Sequence, residues 1–432
     1  MPSTNKINAQ RLLETIHTTA LWGAKGRWGE GPTETGVCRL ALSDEDKSVR
    51  DWFISETKSL GCSVKVDEIG NIFAIYPGKN EGIPTGTGSH LDTQPTGGRY
   101  DGILGVLGGL EVLRTFKENN YVPNYPVALI DWCNEEGARF PRSMMASAVW
   151  AETLPLQEAY EMKSITETEV KTVKEELIRI GYLGETPASY RLNPLAAHFE
   201  LHIEQGPILE DSKKKIGIVQ GGQAFTWYKV VLGGKASHTG TTPLSARSDA
   251  LLAASKMIVR GNEIAHEHEG LVSVGIIEAS PAVVNVVPSE VMFTVDARHH
   301  TDEGLKSIIE HVIKDFTAIA AEGNGTAKSK PINISIEHDF TSPAIHFSRD
   351  CVAAVEAAAH EVVGKEDTIE IVSGAGHDSC NTSFRCPTSM IFVPSKDGIS
   401  HNPVEFTNPE EIADGVQVLL NTIVNYDLSR KN

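Results

Sequence analysis

What most constrains this chain is an order of elements in which each strand closes on side chains able to bind a ligand. Residues 85–91 read as a strand ending in Ser89-His90-Leu91-Asp92-Thr93. A polar, Gly-rich loop follows, then a helix over about 103–119. The apolar stretch 127–133 comes next, a strand of the kind buried on both faces, and it runs straight into Asn134-Glu135-Glu136-Gly137. Strand, helix, strand in this sequence predicts an α/β fold with an at least partly parallel sheet. In such sheets ligands gather outside the carboxyl ends of the strands. Residues 198–204 alternate strictly, with His198, Glu200, His202 and Glu204 on one face of a strand and Phe199, Leu201 and Ile203 on the other.

The stretch from 216 to 338 has a different rhythm. Strands are expected at 226–233, 271–279, 290–298 and 332–337, with helices at 246–267 and 302–322. The order βαββαβ is ferredoxin-like. The expected architecture is therefore a mixed-sheet α/β catalytic domain split into 1–215 and 339–432, with a ferredoxin-like α+β domain inserted at 216–338. Residues 322–330 read as a loop.

Charge narrows the partners. With 39 basic and 57 acidic residues the formal net charge is −18. Nucleic-acid binding needs clustered Lys and Arg, and an anionic membrane surface would repel such a chain. No apolar run approaches a membrane span, residues 1–10 lack an apolar signal stretch, and Ser429-Arg430-Lys431-Asn432 is no peroxisomal address. The six cysteines form no CxxC pair and read as reduced thiols. A cytoplasmic protein without nucleic-acid or membrane partners is expected.

The chemistry lies in five ligand-type positions. His90 closes one strand, Asp101 follows in the Gly-rich loop, Glu135-Glu136 closes the next strand, His202 ends a third, and His401 sits in Ser400-His401-Asn402. A single histidine at a strand end is commonly structural, and adjacent glutamates are commonly a solvated face; the joint pattern is what points to a metal. Imidazole and carboxylate donors without thiolate suit zinc, or a harder metal such as manganese. Five ligands suit two ions, since one carboxylate can bridge a pair. Of two successive glutamates on an extended backbone, one can ligate while its neighbour serves as general base. Asp92, two residues past His90, is placed to orient that imidazole.

These segments, with Tyr100-Asp101-Gly102, His202-Ile203-Glu204-Gln205-Gly206-Pro207, His238-Thr239-Gly240-Thr241-Thr242-Pro243 and Gly374-Ala375-Gly376-His377-Asp378, resemble the dinuclear zinc amidohydrolases of the aminoacylase/carboxypeptidase clan. The branch is that of β-alanine synthase, N-carbamoyl-L-amino-acid hydrolase and allantoate amidohydrolase, and the match looks nearest to fungal-type β-alanine synthase. The resemblance spans essentially the whole chain. It implies two zinc ions per subunit held by His90, Asp101, Glu136, His202 and His401, with Asp101 bridging. It implies Glu135 as the catalytic base, Asp92 as the residue that orients His90, and Gln205, His238, Asn285, Arg298 and His377 as substrate contacts. Arg298 would clamp the carboxylate of a small anionic amide or ureido substrate. His238 would complete the site of the other subunit of a homodimer, through the inserted lid or dimerisation domain.

Departures from the family pattern stand at Thr239, Ala297 and Thr96-Gly97-Gly98-Arg99, near the expected substrate. They bear on which substrate is cleaved, with N-carbamoyl-β-alanine favoured over allantoate, N-carbamoyl-L-α-amino acids, N-acyl amino acids and dipeptides. Two other classes compete. A non-catalytic relative would be expected to have lost ligands or base, and here all are present. A dinucleotide-binding oxidoreductase is raised by the glycines of 102–109, but their spacing is GxxGxxGG, not GxGxxG, and suits close helix packing better.

Overall fold

The computed structural model describes residues 5–323 and 330–430; the loop expected at 322–330 lies largely outside them. The chain divides into two compact units, one of Met1–Gly221 with His346–Asn432, the other of Gly222–Ile345.

The first unit is built on a mixed sheet whose central strands run parallel. Thr85–Ser89 lies between Val127–Asp131 and Ala197–Ile203, parallel to both, and Thr388–Val393 continues parallel on the far side of Ala197–Ile203. Antiparallel strands flank this core: Ile72–Tyr76 and then Ser63–Val66 on one side, Ile216–Gly222 on the other. Val127–Asp131 is buried at every position. Val127 and Leu129 enter one apolar cluster with Leu107, Leu110 and Leu419, while Ala128 and Ile130 enter a second with Trp132 and Trp150. Burial on both faces explains why this strand is a continuous apolar run. Ala197–Ile203 is buried at every position too, so the polar face read there is itself enclosed by the protein.

The glycines of the helix Ile103–Glu118 serve packing. A Cβ on Gly105 would lie 2.5 Å from the Leu201 carbonyl oxygen and 2.7 Å from Ser89 Cβ, and one on Gly109 would lie 2.4 Å from Leu129 Cδ1. The helix therefore sits closer to the sheet than any side chain would allow, which holds the Asp101 loop just above the strand ends.

In the second unit the sheet runs Leu271–Ser273, Glu290–His299, Ala224–Gly233, Asn333–Ser342 in space, all antiparallel. With helices Ala250–Glu267 and Asp302–Glu322 in the crossovers, this is the ferredoxin-like arrangement. Its core joins Val230, Leu232, Val291, Phe293 and Val295 to Met257, Ile308, Val312 and Phe316 of the helices. Among the described residues no helix is long and apolar enough to cross a membrane.

Gly105→Ala and Gly108→Ala should separate packing from propensity. Alanine gains about 1 kcal/mol in a helix. At Gly105 the new Cβ meets a backbone oxygen that cannot move away, so overpacking of about 1–3 kcal/mol outweighs that gain. At Gly108 it meets only the methyl ends of side chains, Val416 Cγ2 at 2.9 Å and Leu201 Cδ2 at 3.2 Å, which can shift. Denaturant unfolding should show Gly105→Ala destabilised and Gly108→Ala nearly unchanged.

Candidate active site

Each of the four central parallel strands delivers a side chain at its carboxyl end, and parallel strands put those ends on one edge. His90 follows Thr85–Ser89, Glu135 and Glu136 follow Val127–Asp131, His202 ends Ala197–Ile203, and His401 lies beyond Thr388–Val393. Asp101 reaches in from the loop before the helix Ile103–Glu118. The Asp101 carboxylate is the hub. Its Oδ1 lies 3.1 Å from His202 Nε2 and 3.8 Å from His90 Nε2, and its Oδ2 lies 3.2 Å from His401 Nε2. His401 Nε2 is also 3.4 Å from Glu136 Oε2. Glu135 Oε2 stands 3.5 Å from His90 Nε2.

The supports are local. His90 Nδ1 bonds the Asp92 carbonyl at 2.8 Å and His202 Nδ1 bonds the Ile203 carbonyl at 2.8 Å, so both rings turn Nε2 inward. His90 is thus held by the backbone of Asp92, not by its carboxylate as expected. That carboxylate accepts instead from the backbone N–H groups of Glu135 at 3.2 Å and Glu136 at 3.3 Å, and so shapes the turn that presents both glutamates. Leu91, between His90 and Asp92, has both backbone groups gripped by buried charged side chains. Its N–H donates to Asp131 Oδ1 at 3.0 Å, and its carbonyl accepts from Arg39 Nε at 2.7 Å. Gln94 holds Glu136, through its backbone N–H at 3.1 Å and its side-chain amide at 2.7 Å.

Electrostatics follow from crowding carboxylates out of water. Burial pushes Glu135 well above the usual carboxylate range, helped by Asp378 and Glu136, and pushes Glu136 up to about 8. Burial disfavours charge on His202, yet its hydrogen bond to Asp101 together with the charges of Asp101 and Glu200 outweighs this and raises it to about 9. The Asp101 hydrogen bond likewise raises His401 to about 9. His90 is lowered to about 4 by burial, against the opposing pull of Asp101. Positive charge is thus favoured on His202 and His401 and disfavoured on His90.

Two donor triads fit divalent ions. Ligand atoms of His90, Asp101 and His202, and of Asp101, Glu136 and His401, lie within 4.8 Å of one another, with Asp101 common to both. The all-nitrogen-and-oxygen set suits zinc or manganese. Ligand atoms of a third group, Glu200 with His202 and His377, also lie within 4.8 Å of one another. Both oxygens of Glu200 are already taken, by Ser89 Oγ at 2.6 Å and Ser379 Oγ at 2.7 Å, so this group is structural.

The other expected residues divide between the units. Gln205 is at the cluster, its side-chain amide donating to Asp101 Oδ2 at 2.8 Å. His377 packs its ring on His202, centroids 4.5 Å apart, and shares a hydrogen bond with Ser373 Oγ at 2.9 Å. His238, Asn285 and Arg298 belong to the second unit. His238 and Asn285 are neighbours there, because Ser237–His238 pairs with Val286–Val287 and the Asn285 carbonyl accepts from Thr239 N–H at 3.1 Å. Arg298 is held by Asp296, Nε to Oδ1 at 3.0 Å and Nη2 to Oδ2 at 2.8 Å. Sequence reasoning missed Gln94, Glu200, Ser400 and Glu405, all of which brace the cluster. Only Glu200 carried a signal, its place in the alternating strand.

Gly102 explains the Tyr100-Asp101-Gly102 motif. Its φ is +67°, and a Cβ there would lie 2.2 Å from His90 Nε2. Gly102→Ala should fold, displace the His90 ring and lower metal affinity by about 10–100-fold in a zinc titration; unchanged affinity would count against the close packing of His90 on Gly102.

The family model described as peptidase family M20/M25/M40 matches residues 86–425. Among curated relatives, an N-carbamoyl-L-amino-acid amidohydrolase of Rhizobium meliloti is 37% identical over 425 residues, covering 97% of this chain and 96% of the relative. An allantoate amidohydrolase of Bacillus subtilis is 33% identical over 415 residues, covering 94% and 95%. Among solved structures, an amidase of the hydantoinase/carbamoylase family from Burkholderia multivorans superposes with a TM-score of 0.90 at 40% identity, covering 99% of this chain and 100% of that one. The stretch matched by the family model contains every residue of both Asp101-centred triads, and the chain belongs to peptidase family M20/M25/M40.

Proposed function

We propose that this chain hydrolyses the ureido C–N bond of an N-carbamoyl amino acid, yielding amino acid, carbon dioxide and ammonia. The observation that carries this reading is the pair of triads joined through Asp101, with the Glu135 carboxylate beside them and outside both. Relatives named for N-carbamoyl-L-amino acids and for allantoate support a linear amide or ureido substrate. Retention of the full donor set and of Glu135 speaks against a non-catalytic binding protein.

His90, Asp101 and His202 would hold one divalent ion and Asp101, Glu136 and His401 a second, zinc or manganese. Once bound, such ions polarise a carbonyl and bring the pKa of a water to about 7. Glu135 takes the proton from the attacking water and passes it to the leaving amine. Asp92 fixes the backbone on which Glu135 rides. His238 Nδ1 accepts two backbone N–H groups, from Gly240 at 3.0 Å and Thr241 at 3.2 Å. A neutral His238 therefore carries its proton on Nε2, as a donor to a developing oxyanion. Arg298 clamps the substrate carboxylate with its planar guanidinium, and Gln205, Asn285 and His377 contact the remaining polar groups. We assign the active form to a cytoplasmic homodimer in which each protomer's His238 completes the other's site.

An ammonia-release assay over N-carbamoyl-β-alanine, N-carbamoyl-L-α-amino acids, allantoate, an N-acyl amino acid and a dipeptide tests the substrate class. The sequence resemblance favours the first, and the relatives' names favour the second and third. Activity on an N-carbamoyl amino acid that a chelator abolishes and zinc or manganese restores is expected; turnover unaffected by chelation would overturn the metal reading. Glu135→Gln should keep its metal and lose about 10²–10⁴-fold in turnover. Arg298→Ala should raise KM for carboxylate-bearing substrates more than for neutral ureido compounds, since the net charge of −18 otherwise repels them.

A further inference from the structure

Glu405 stands four residues past His401 and belongs to neither donor triad. Its side chain is buried, 3% exposed. Oε1 accepts from the backbone N–H of Tyr100 at 3.0 Å and of Asp101 at 3.1 Å. Oε2 accepts from Ser400 Oγ at 2.9 Å, and the same hydroxyl lies 3.0 Å from Asp101 Oδ2. The seat is shaped for this carboxylate: a Cβ on Gly98 would lie 2.2 Å from Glu405 Oε1. One buried side chain thus ties the loop of Asp101 to the loop of His401, two segments about 300 residues apart in the chain.

The two triads do not depend on this tie equally. His90 and His202 each emerge from a central strand and are locked through Nδ1 to a carbonyl oxygen. Their side chains are 2% and 1% exposed. The His401 side chain is 50% exposed and its backbone has a positive φ of 55°. An exposed loop residue in that conformation needs a partner to hold its position. Its ring meets Asp101, Glu136 and Gln205, its backbone carbonyl accepts from Thr96 Oγ1 at 3.2 Å, and the residue before it joins the Ser400–Glu405–Asp101 connection.

We propose that Glu405 is a positioning residue that sets how many metal ions this site holds, by fixing Asp101 and the Ser400-His401 turn in one arrangement so that the Asp101–Glu136–His401 triad can form. This rests on reading the cluster as a metal centre. Glu405 touches neither substrate nor ligand atoms of the ions; it acts through the backbone of Asp101 and the hydroxyl of Ser400. Loss of its carboxylate leaves two backbone N–H groups without their acceptor and frees the His401 loop, while His90 and His202 keep their own anchors.

Zinc titration of the metal-stripped full-length protein, with bound metal counted by elemental analysis, tests this. Wild type should bind two zinc ions per chain. Glu405→Ala should bind the first with unchanged affinity and the second about 10–100-fold more weakly. Glu405→Gln, whose amide oxygen can still accept from both N–H groups, should recover most of the second site. Ser400→Ala, which removes only the hydroxyl link, should weaken the second zinc alone and keeps the proposal testable should Glu405→Ala fail to fold. A wild type that binds no zinc would overturn the metal reading itself. Two zinc ions of equal affinity in wild type, Glu405→Ala and Ser400→Ala would overturn the role of Glu405 alone. Equal weakening of both ions, with a lower melting temperature of the metal-free protein, would make Glu405 a residue of the fold and also overturn the proposal.

Discussion

Buried negative charge at one edge of a parallel sheet is the constraint around which this structure is organised. Asp92, Asp101, Glu135 and Glu405 are all under a tenth exposed and lie within one loop cluster. A carboxylate taken out of water needs hydrogen bonds or counter-charge. The chain supplies both in separate places. Asp92 and Glu405 each accept from two successive backbone N–H groups, so their charge is spent on shaping loops. Deeper down, Arg50 pairs with Asp46 at 2.8 Å and Asp131 at 3.4 Å, all three fully buried. Asp101, Glu135 and Glu136 are left facing one another with imidazoles, neutral amides and a hydroxyl but no Lys or Arg partner among the described contacts, the place where divalent ions would complete the charge balance.

The loops that make this possible adopt backbone conformations that ordinary residues avoid. Asn134, Gln205 and His401 all have positive φ, at 54°, 60° and 55°. Asparagine tolerates that region; glutamine and histidine pay for it locally. Each stands where the chain leaves a central strand or its following loop and must turn sharply to aim a side chain across the sheet edge. Gly102 and Gly98 play the complementary part, leaving room for the His90 ring and the Glu405 carboxylate. The close seating of the helix Ile103–Glu118 extends the same logic, since its small residues keep the Asp101 loop low over the strand ends.

Much of the fold was legible because its signals are local. The apolar run 127–133, the alternation at 198–204 and the βαββαβ rhythm of 216–338 each report on burial along a single element, although the second compact unit itself runs Gly222–Ile345. The strands and helices these patterns predict are present in the structure. For Ala197–Ile203 the alternation shows only that two faces differ. It does not show that the polar one meets water; here Glu200 and His198 are sealed beneath Ser379. Glu405 was invisible for a related reason. An acid four residues after a histidine looks like any other acid, and only contact with a loop 300 residues away gives it a task.

What the sequence determined by itself is which residue types could meet: imidazoles and carboxylates following strand-like segments, glycines where side chains could not fit, and an order of elements that makes the strands parallel. What only the tertiary structure decided is which of them do meet and in what role. It made Asp101 the shared member of two triads, gave Asp92 to the backbone of the two glutamates instead of to the His90 ring, and spent Glu200 on two serines instead of on a metal. The physical reason is that a side chain's chemistry is local, but its role depends on distances between strand ends and loops remote in the chain, and only the packed sheet sets those distances.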